Sequence, residues 1–193
     1  MTRLILEASS TPATWVLSRQ SEILASGQLT GTVAASLIPS FQKDLREDCQ
    51  PEQILVGVGP GSFSGIRSAI ASAQGLAAAW HCPVLPVRST GSIAWQFPGA
   101  TLLGVFSDAR RGDVFATFYA YGKLDRPTAV HPASALPQLL SRCTLAVTPD
   151  HFPGVAQTAQ PAAPTLAAYL HAHGLEPSLP LEPIHLRPAL KPS

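Results

Sequence analysis

The residues best suited to chemistry are concentrated in Gly57-Val58-Gly59-Pro60-Gly61-Ser62-Phe63-Ser64-Gly65-Ile66-Arg67. An apolar run enters a glycine-rich turn that opens a helix. Backbone N–H groups at such a helix start can hold an anion, so Gly59, Gly61 and Ser62 form a candidate anion- or nucleotide-binding turn. Neither standard phosphate pattern fits. No lysine follows the glycines as GxxxxGK[ST] requires, and Ser62 and Ser64 stand where GxGxxG needs its third glycine. No acid lies about 20 residues on to hold a ribose. A plain structural turn therefore stands beside the anion site as an alternative.

A second candidate is Ser107-Asp108-Ala109-Arg110-Arg111-Gly112-Asp113-Val114-Phe115, between two strand-like runs. Asp108 with Arg110 and Arg111 could grip a phosphate or carboxylate through bidentate guanidinium contacts. The alternative is a hairpin turn closed by an Asp–Arg pair, with Gly112 supplying a positive φ. The turn at Ser9 and Ser10 holds the matching place earlier in the chain, and Glu7 before it offers a single carboxylate for a magnesium ion.

Metal and nucleophile patterns are missing from the sequence. The six histidines, His81, His131, His151, His171, His173 and His185, contain no i, i+4 pair. No GxSxG elbow occurs. Cys49, Cys82 and Cys143 form no CxxC pair, which argues against a zinc site or a disulfide framework. Catalytic and metal residues are accordingly expected to be none.

The elements that must carry these turns follow from periodicity. Leu4–Ala8, Thr14–Arg19 and Glu22–Leu29 read as an antiparallel meander. Leu37, Ile38, Phe41 and Leu45 give helical spacing over Val33–Asp48, with Pro39 marking a kink or a later start. Gln53–Val58 is an apolar core strand, Ser64–Trp80 a helix and Val84–Val87 a strand, completing a βββαβα unit. Pro98-Gly99 marks a boundary, giving expected lobes of residues 1–97 and 98–193. The second lobe repeats the pattern in shortened form: strands at Thr101–Ser107, Asp113–Tyr121 and Thr144–Val147, helices at Ala133–Ser141 and Thr165–His173, then an extended tail. Most of the 19 prolines fall after Lys123, where turns should dominate.

The predicted helix after the glycine turn has two faces. Ile66, Ala69, Ile70, Ala73, Leu76, Ala77 and Trp80 suit a sheet. Opposite them, Ser68, Ala71, Ser72, Gly75 and Ala79 are small enough for close approach by a second helix, belonging either to this chain or to a partner.

Composition sets the outer limits. The 193 residues are 46% hydrophobic but only 13% charged, against about 25% in average proteins, which argues against disorder. Thirteen basic and 12 acidic residues give a net charge of +1, too balanced to argue for direct nucleic-acid or acidic-membrane binding. No apolar run reaches the roughly 18 residues of a membrane span, and the N-terminal run is too short for a signal peptide. A cytoplasmic protein with no membrane association is the expectation.

The glycine-rich run, continued by Ala73-Gln74-Gly75-Leu76-Ala77, resembles the GPGSFTGLR signature of the TsaB (YeaZ) family. Asp108–Phe115 is similar to that family's DARRGEVY motif, Leu4–Ser10 to its opening strand, and Pro183–Arg187 to its C-terminal PxYLR. Glu7, Ala8, Ser64 and Gln74 replace the family's usual Asp, Thr, Thr and Lys. The resemblance implies an α/β fold of the ASKHA type, that of actin, heat-shock chaperones and sugar kinases, with two βββαβα lobes, the second shortened. It also implies a non-catalytic subunit that pairs with a TsaD-type transferase. That complex makes N6-threonylcarbamoyladenosine at position 37 of tRNAs reading codons that begin with A. A TsaE-type ATPase and a TsaC-type synthase are the implied further partners, and tRNA is met through the complex. ATP and a metal belong to the partner complex, with no cofactor of the chain's own. The implied partner interface comprises Phe63, Ser64, Arg67, Ser68, Ala71, Ser72 and Gly75, with Leu37 and Phe41 from the preceding helix. A homodimer through the same helices is a further expectation. The competing class is an enzyme: an ATP-binding or hydrolysing ASKHA member, or a peptidase as in the family's older glycoprotease label.

Overall fold

Residues of the first strand alternate between two cores, and that alternation organises the molecule. The computed structural model describes residues 1–41, 50–150, 152–176 and 179–184. Strands β1 (Thr2–Glu7), β2 (Thr14–Arg19), β3 (Glu22–Gln28), β4 (Gln53–Gly57) and β5 (Val84–Val87) form a sheet in the order β3-β2-β1-β4-β5. The first three are antiparallel, and β4 and β5 add parallel to β1. Helices α1 (Val33–Phe41) and α2 (Phe63–Trp80) cover one face.

The second sheet repeats that order. Strands β6 (Leu102–Asp108), β7 (Asp113–Ala120), β8 (Lys123–Pro132), β9 (Leu145–Thr148) and β10 (Gln157–Thr158) run β8-β7-β6-β9-β10. Again the first three are antiparallel and the last two parallel. This duplicated mixed-sheet topology is the expected ASKHA arrangement. The second copy is shortened in its helix α4 (Leu136–Leu140), preceded by a 3-10 turn at Ala133–Ala135, and in the two-residue β10.

Leu4 and Leu6 of β1 point into a core with Trp15, Leu37, Phe41, Ile54, Val56, Ile66 and Ala69. Ile5 between them points the other way, with Val16, Leu55 and Val87, into a core shared with Leu103, Val105, Tyr119 and Val147 of the second sheet. A strand buried on both faces needs the unbroken apolar run seen in its sequence. Helices α3 (Thr90–Ala94) and α5 (Ala163–His173) contribute Ile93, Leu166 and Tyr169 to that shared core. A third core, on the far side of the second sheet, joins Phe106, Val114 and Phe118 to Leu136 and Leu139.

Several sequence expectations shift. Helix α1 begins at Val33 and contains Pro39, so the proline is accommodated inside the helix. Its expected continuation through Leu45 to Asp48 lies outside the described residues, as do Cys49, His151 and residues 185–187. Strand β8, α3 and β10 were not anticipated, and the expected helix at Ala133–Ser141 contracts to the 3-10 turn plus α4. The tail packs on the body: Leu179, Leu181 and Ile184 lie against the first core, and the Ile184 N–H donates to the Val58 carbonyl at 2.8 Å.

Candidate functional site: the opening turn of α2 and its outer face

The glycine-rich turn is fixed from three sides. The Val58 N–H donates to Val87 O at 2.9 Å, the Gly59 N–H to Ser89 Oγ at 3.0 Å, and the Ser89 N–H back to Gly59 O at 3.1 Å. From the β1–β2 turn, the Ser9 carbonyl accepts the Ser62 N–H at 2.7 Å. The Ser62 hydroxyl caps α2 by accepting the Gly65 N–H at 3.2 Å. A Cβ on Gly61 would lie 2.3 Å from Ser9 O, and one on Gly65 would lie 2.3 Å from Ala8 O. These glycines let two backbones touch, a need that the sequence pattern alone does not distinguish from room for a phosphate.

Thus Ser9, Gly59, Gly61 and Ser62 do come together, with the chain's own Ser9 carbonyl on the Ser62 N–H. Ser10 turns away, its hydroxyl donating to Pro161 O at 3.4 Å. Glu7 is buried beneath this contact at 1% exposure, its Oε1 accepting the Ser9 N–H at 2.8 Å. Burial raises the carboxyl above its ordinary 4.5, opposed by the hydrogen bond from the Ser9 N–H. A folded value above the unfolded one means that stability is full below 4.5 and declines as pH rises through the folded value. Glu7→Gln keeps an acceptor for Ser9 and removes the charge. Its melting temperature should equal the wild type's below pH 4.5 and exceed it above neutrality. Parallel melting curves across that range check this, and equal curves at every pH would refute it.

The second candidate turn closes as the Asp–Arg alternative required. Asp108 Oδ1 accepts the Arg110 N–H at 2.7 Å, and its Oδ2 pairs with the Arg110 guanidinium at 3.1 Å. One positive φ was expected, at Gly112. Three consecutive residues show it: Arg110 (63°), Arg111 (54°) and Gly112 (80°). Arg110 and Arg111 are both exposed. Among the described residues no group of three His, Cys, Asp or Glu side chains could hold a metal ion.

Helix α2 presents its small residues outward as the helical wheel predicts. Ser64, Arg67, Ala71 and Gly75 are exposed, and Ser68 and Ser72 are half-buried. Phe63 is 51% exposed, with the Arg67 guanidinium carbon 5.5 Å from its ring centre. A Cβ on Gly75 would meet nothing within 4 Å, so nothing in the described residues requires glycine there.

Leu37 and Phe41 correct the expected interface. Each is 1% exposed, in the core beneath α1 and α2, so neither is on the surface for a partner. The large apolar residue that α1 exposes is Ile38, at 52%, beside the smaller Ala34, Ala35 and Pro39. Sequence reasoning also missed Arg88, a buried arginine held by Glu176 and Thr128. Its only signal is a charge placed directly after the apolar β5.

Comparison with known proteins bears on this geometry. The TsaD family model, described as tRNA N6-adenosine threonylcarbamoyltransferase, matches residues 36–143. An uncharacterized protein of Mycobacterium tuberculosis is 34% identical over 147 residues, 73% of this chain and 67% of its own length. TsaB of Escherichia coli, a tRNA threonylcarbamoyladenosine biosynthesis protein, is 41% identical over 66 residues, 33% of this chain and 29% of its own. A Mycobacterium leprae protein matches at 35% over 53% of this chain, which thereby spans only 28% of that relative. Among solved structures, YeaZ from Pseudomonas aeruginosa superposes with a TM-score of 0.68 at 25% identity, over 89% of this chain and 92% of its own. The glycine-turn and Asp-Arg-Arg motifs, the duplicated sheet order and these matches lead to one assignment: the chain belongs to the TsaB (YeaZ) family.

Proposed function

We propose that this chain is a non-catalytic subunit for making N6-threonylcarbamoyladenosine on tRNA, docking on a TsaD-type transferase through the outer face of α2. The observation that carries this reading is Gly75. A glycine inside an exposed helix costs about 1 kcal/mol relative to alanine, and no contact in the described chain needs it. Close approach by an outside helix supplies the need. The match of this chain to a TsaD family model adds that the two proteins share related segments. Related subunits can meet through equivalent faces, as in a two-fold dimer.

In this reading Phe63, Ser64, Arg67, Ser68, Ala71, Ser72 and Gly75 make the contact, and Ile38 replaces Leu37 and Phe41. The transferase carries the metal and the chemistry on tRNAs reading codons that begin with A. TsaE-type and TsaC-type proteins supply ATP hydrolysis and the activated intermediate in the cytoplasm. The chain then works by presenting a shaped surface.

The test is co-purification with the TsaD-type protein of the same organism, followed by sizing. Wild type should give a mixed complex. Gly75→Arg should abolish it while leaving the melting temperature at or slightly above that of wild type, because a side chain there meets open space and gains helix propensity. A complex that survives Gly75→Arg sinks the proposed face. Turnover of ATP by the isolated chain would instead favour the enzyme reading, and a wild-type dimer lost in Gly75→Arg would assign the face to self-association.

A further inference from the structure

Arg88 lies between β5 and α3, where the chain leaves the first sheet, and is only 7% exposed. Its guanidinium grips the Glu176 carboxylate through Nε at 3.1 Å and Nη2 at 3.0 Å. Nη1 donates to the Thr128 hydroxyl at 2.7 Å, which lies 2.8 Å from the Thr117 hydroxyl. One side chain therefore joins the exit of the first sheet to β7 and β8 of the second and to the segment after α5. Next to it, the Thr90 and Tyr119 hydroxyls meet at 2.7 Å, and a Cβ on Gly91 would lie 2.7 Å from the Tyr169 ring.

The junction continues toward α2. Ser89, adjacent to Arg88, exchanges two hydrogen bonds with Gly59, at 3.0 and 3.1 Å. Gly59 precedes the Ser62 cap of α2 by three residues, and Val58 before it accepts the Ile184 N–H. A contiguous set of hydrogen bonds thus runs from the second sheet through Arg88 and Ser89 to the turn that aims α2.

We propose that Arg88, held by Glu176 and Thr128, is a positioning residue that ties the two sheets together and sets the orientation in which α2 meets its partner. The pairing has the geometry for this. A bidentate guanidinium–carboxylate contact fixes angle as well as distance, and a buried arginine deprived of its carboxylate reorganises its surroundings. Ser89 cannot shift with Arg88 without loosening Gly59. The coupling to a partner rests on the docking role proposed for α2, whereas the coupling to Gly59 stands independently of it.

The experiment uses the full chain with three substitutions: Glu176→Gln, Glu176→Asp and, as a control, Leu139→Ala in the distant third core. Amide hydrogen exchange at Gly59 and Ser89 reports the junction, and titration with the TsaD-type protein reports docking. Glu176→Gln should speed both amides and weaken docking, each roughly tenfold, the scale of one lost charged hydrogen bond. Glu176→Asp, which keeps the charge, should recover part of both. Leu139→Ala should lower the melting temperature while leaving the two amides and the affinity unchanged. Wild-type exchange at Gly59 in Glu176→Gln would overturn the proposal, as would equal weakening of docking by Leu139→Ala. If wild type binds no TsaD-type protein, the docking role fails and the coupling to α2's partner with it, while the exchange rates still decide whether Arg88 controls the turn.

Discussion

Gly65→Ala should destabilise the chain by about 3 kcal/mol, while Gly75→Ala, ten residues along the same helix, should stabilise it by about 1 kcal/mol. Helix propensity favours alanine at both positions, so the opposite signs come from what a methyl group would meet. At Gly65 it would lie 2.3 Å from the Ala8 carbonyl, a backbone atom held by the end of β1 and the β1–β2 turn. Relief requires moving that turn, which also carries the Ser9 carbonyl bonded to Ser62 and the buried Glu7 below it. At Gly75 the methyl group meets open space. Denaturant midpoints of the two variants, with unchanged slopes, measure the difference. If Gly65→Ala proved as stable as wild type, the two loops would not be in rigid contact, and the glycine spacing would again need a ligand to explain it. A Gly75→Ala chain that gained stability but lost partner affinity would show the helix sacrificing propensity for docking.

The same comparison shows what the sequence made legible. The first unit was readable because its strands are apolar enough to be buried on both faces and its turns carry Ser, Pro and Gly. The helix wheel of α2 placed Ala71 and Gly75 outward, where they are found. Strand β8 escaped because Lys123, Asp125, Arg126 and Pro127 suppress the strand signal, as expected of an edge strand with one open side. Helix α3, five residues of Thr-Gly-Ser-Ile-Ala, is too short to show a period. The Arg88–Glu176 pair spans 88 residues of sequence, and no local pattern announces a contact at that distance. At the Asp108 turn the residue types predicted the Asp–Arg closure, but nothing in them required Arg110 and Arg111 to adopt positive φ. Periodicity also shows which residues of a helix share a face without saying what covers that face: Leu37 and Phe41, which the family resemblance puts at the partner interface, lie in the core.

That last distinction has a large expected effect. Phe41→Ala should cost about 3–5 kcal/mol of stability, the usual range for removing a buried phenyl ring from a close-packed core. The ring meets Trp15 edge-on, with centroids 5.7 Å apart and planes at 71°, and lies 6.2 Å from Trp80. It therefore bridges β2 and the end of α2, and its loss leaves a cavity lined by two large rigid rings that cannot close over it. Ile38, one turn back on α1 but 52% exposed, should tolerate serine with a change within about 0.5 kcal/mol. Docking measured well below each melting temperature separates the roles. Ile38→Ser should weaken partner binding if α1 joins the contact, with its melting curve unchanged. Phe41→Ala should show its principal loss in the melting curve. A Phe41→Ala chain with wild-type stability and no partner binding would place the ring at the interface and overturn the burial described for it. The contrast also separates two roles in the first unit: α1 anchors the meander to α2 through buried rings, while Ala71 and Gly75 on the outer face of α2 stay exposed.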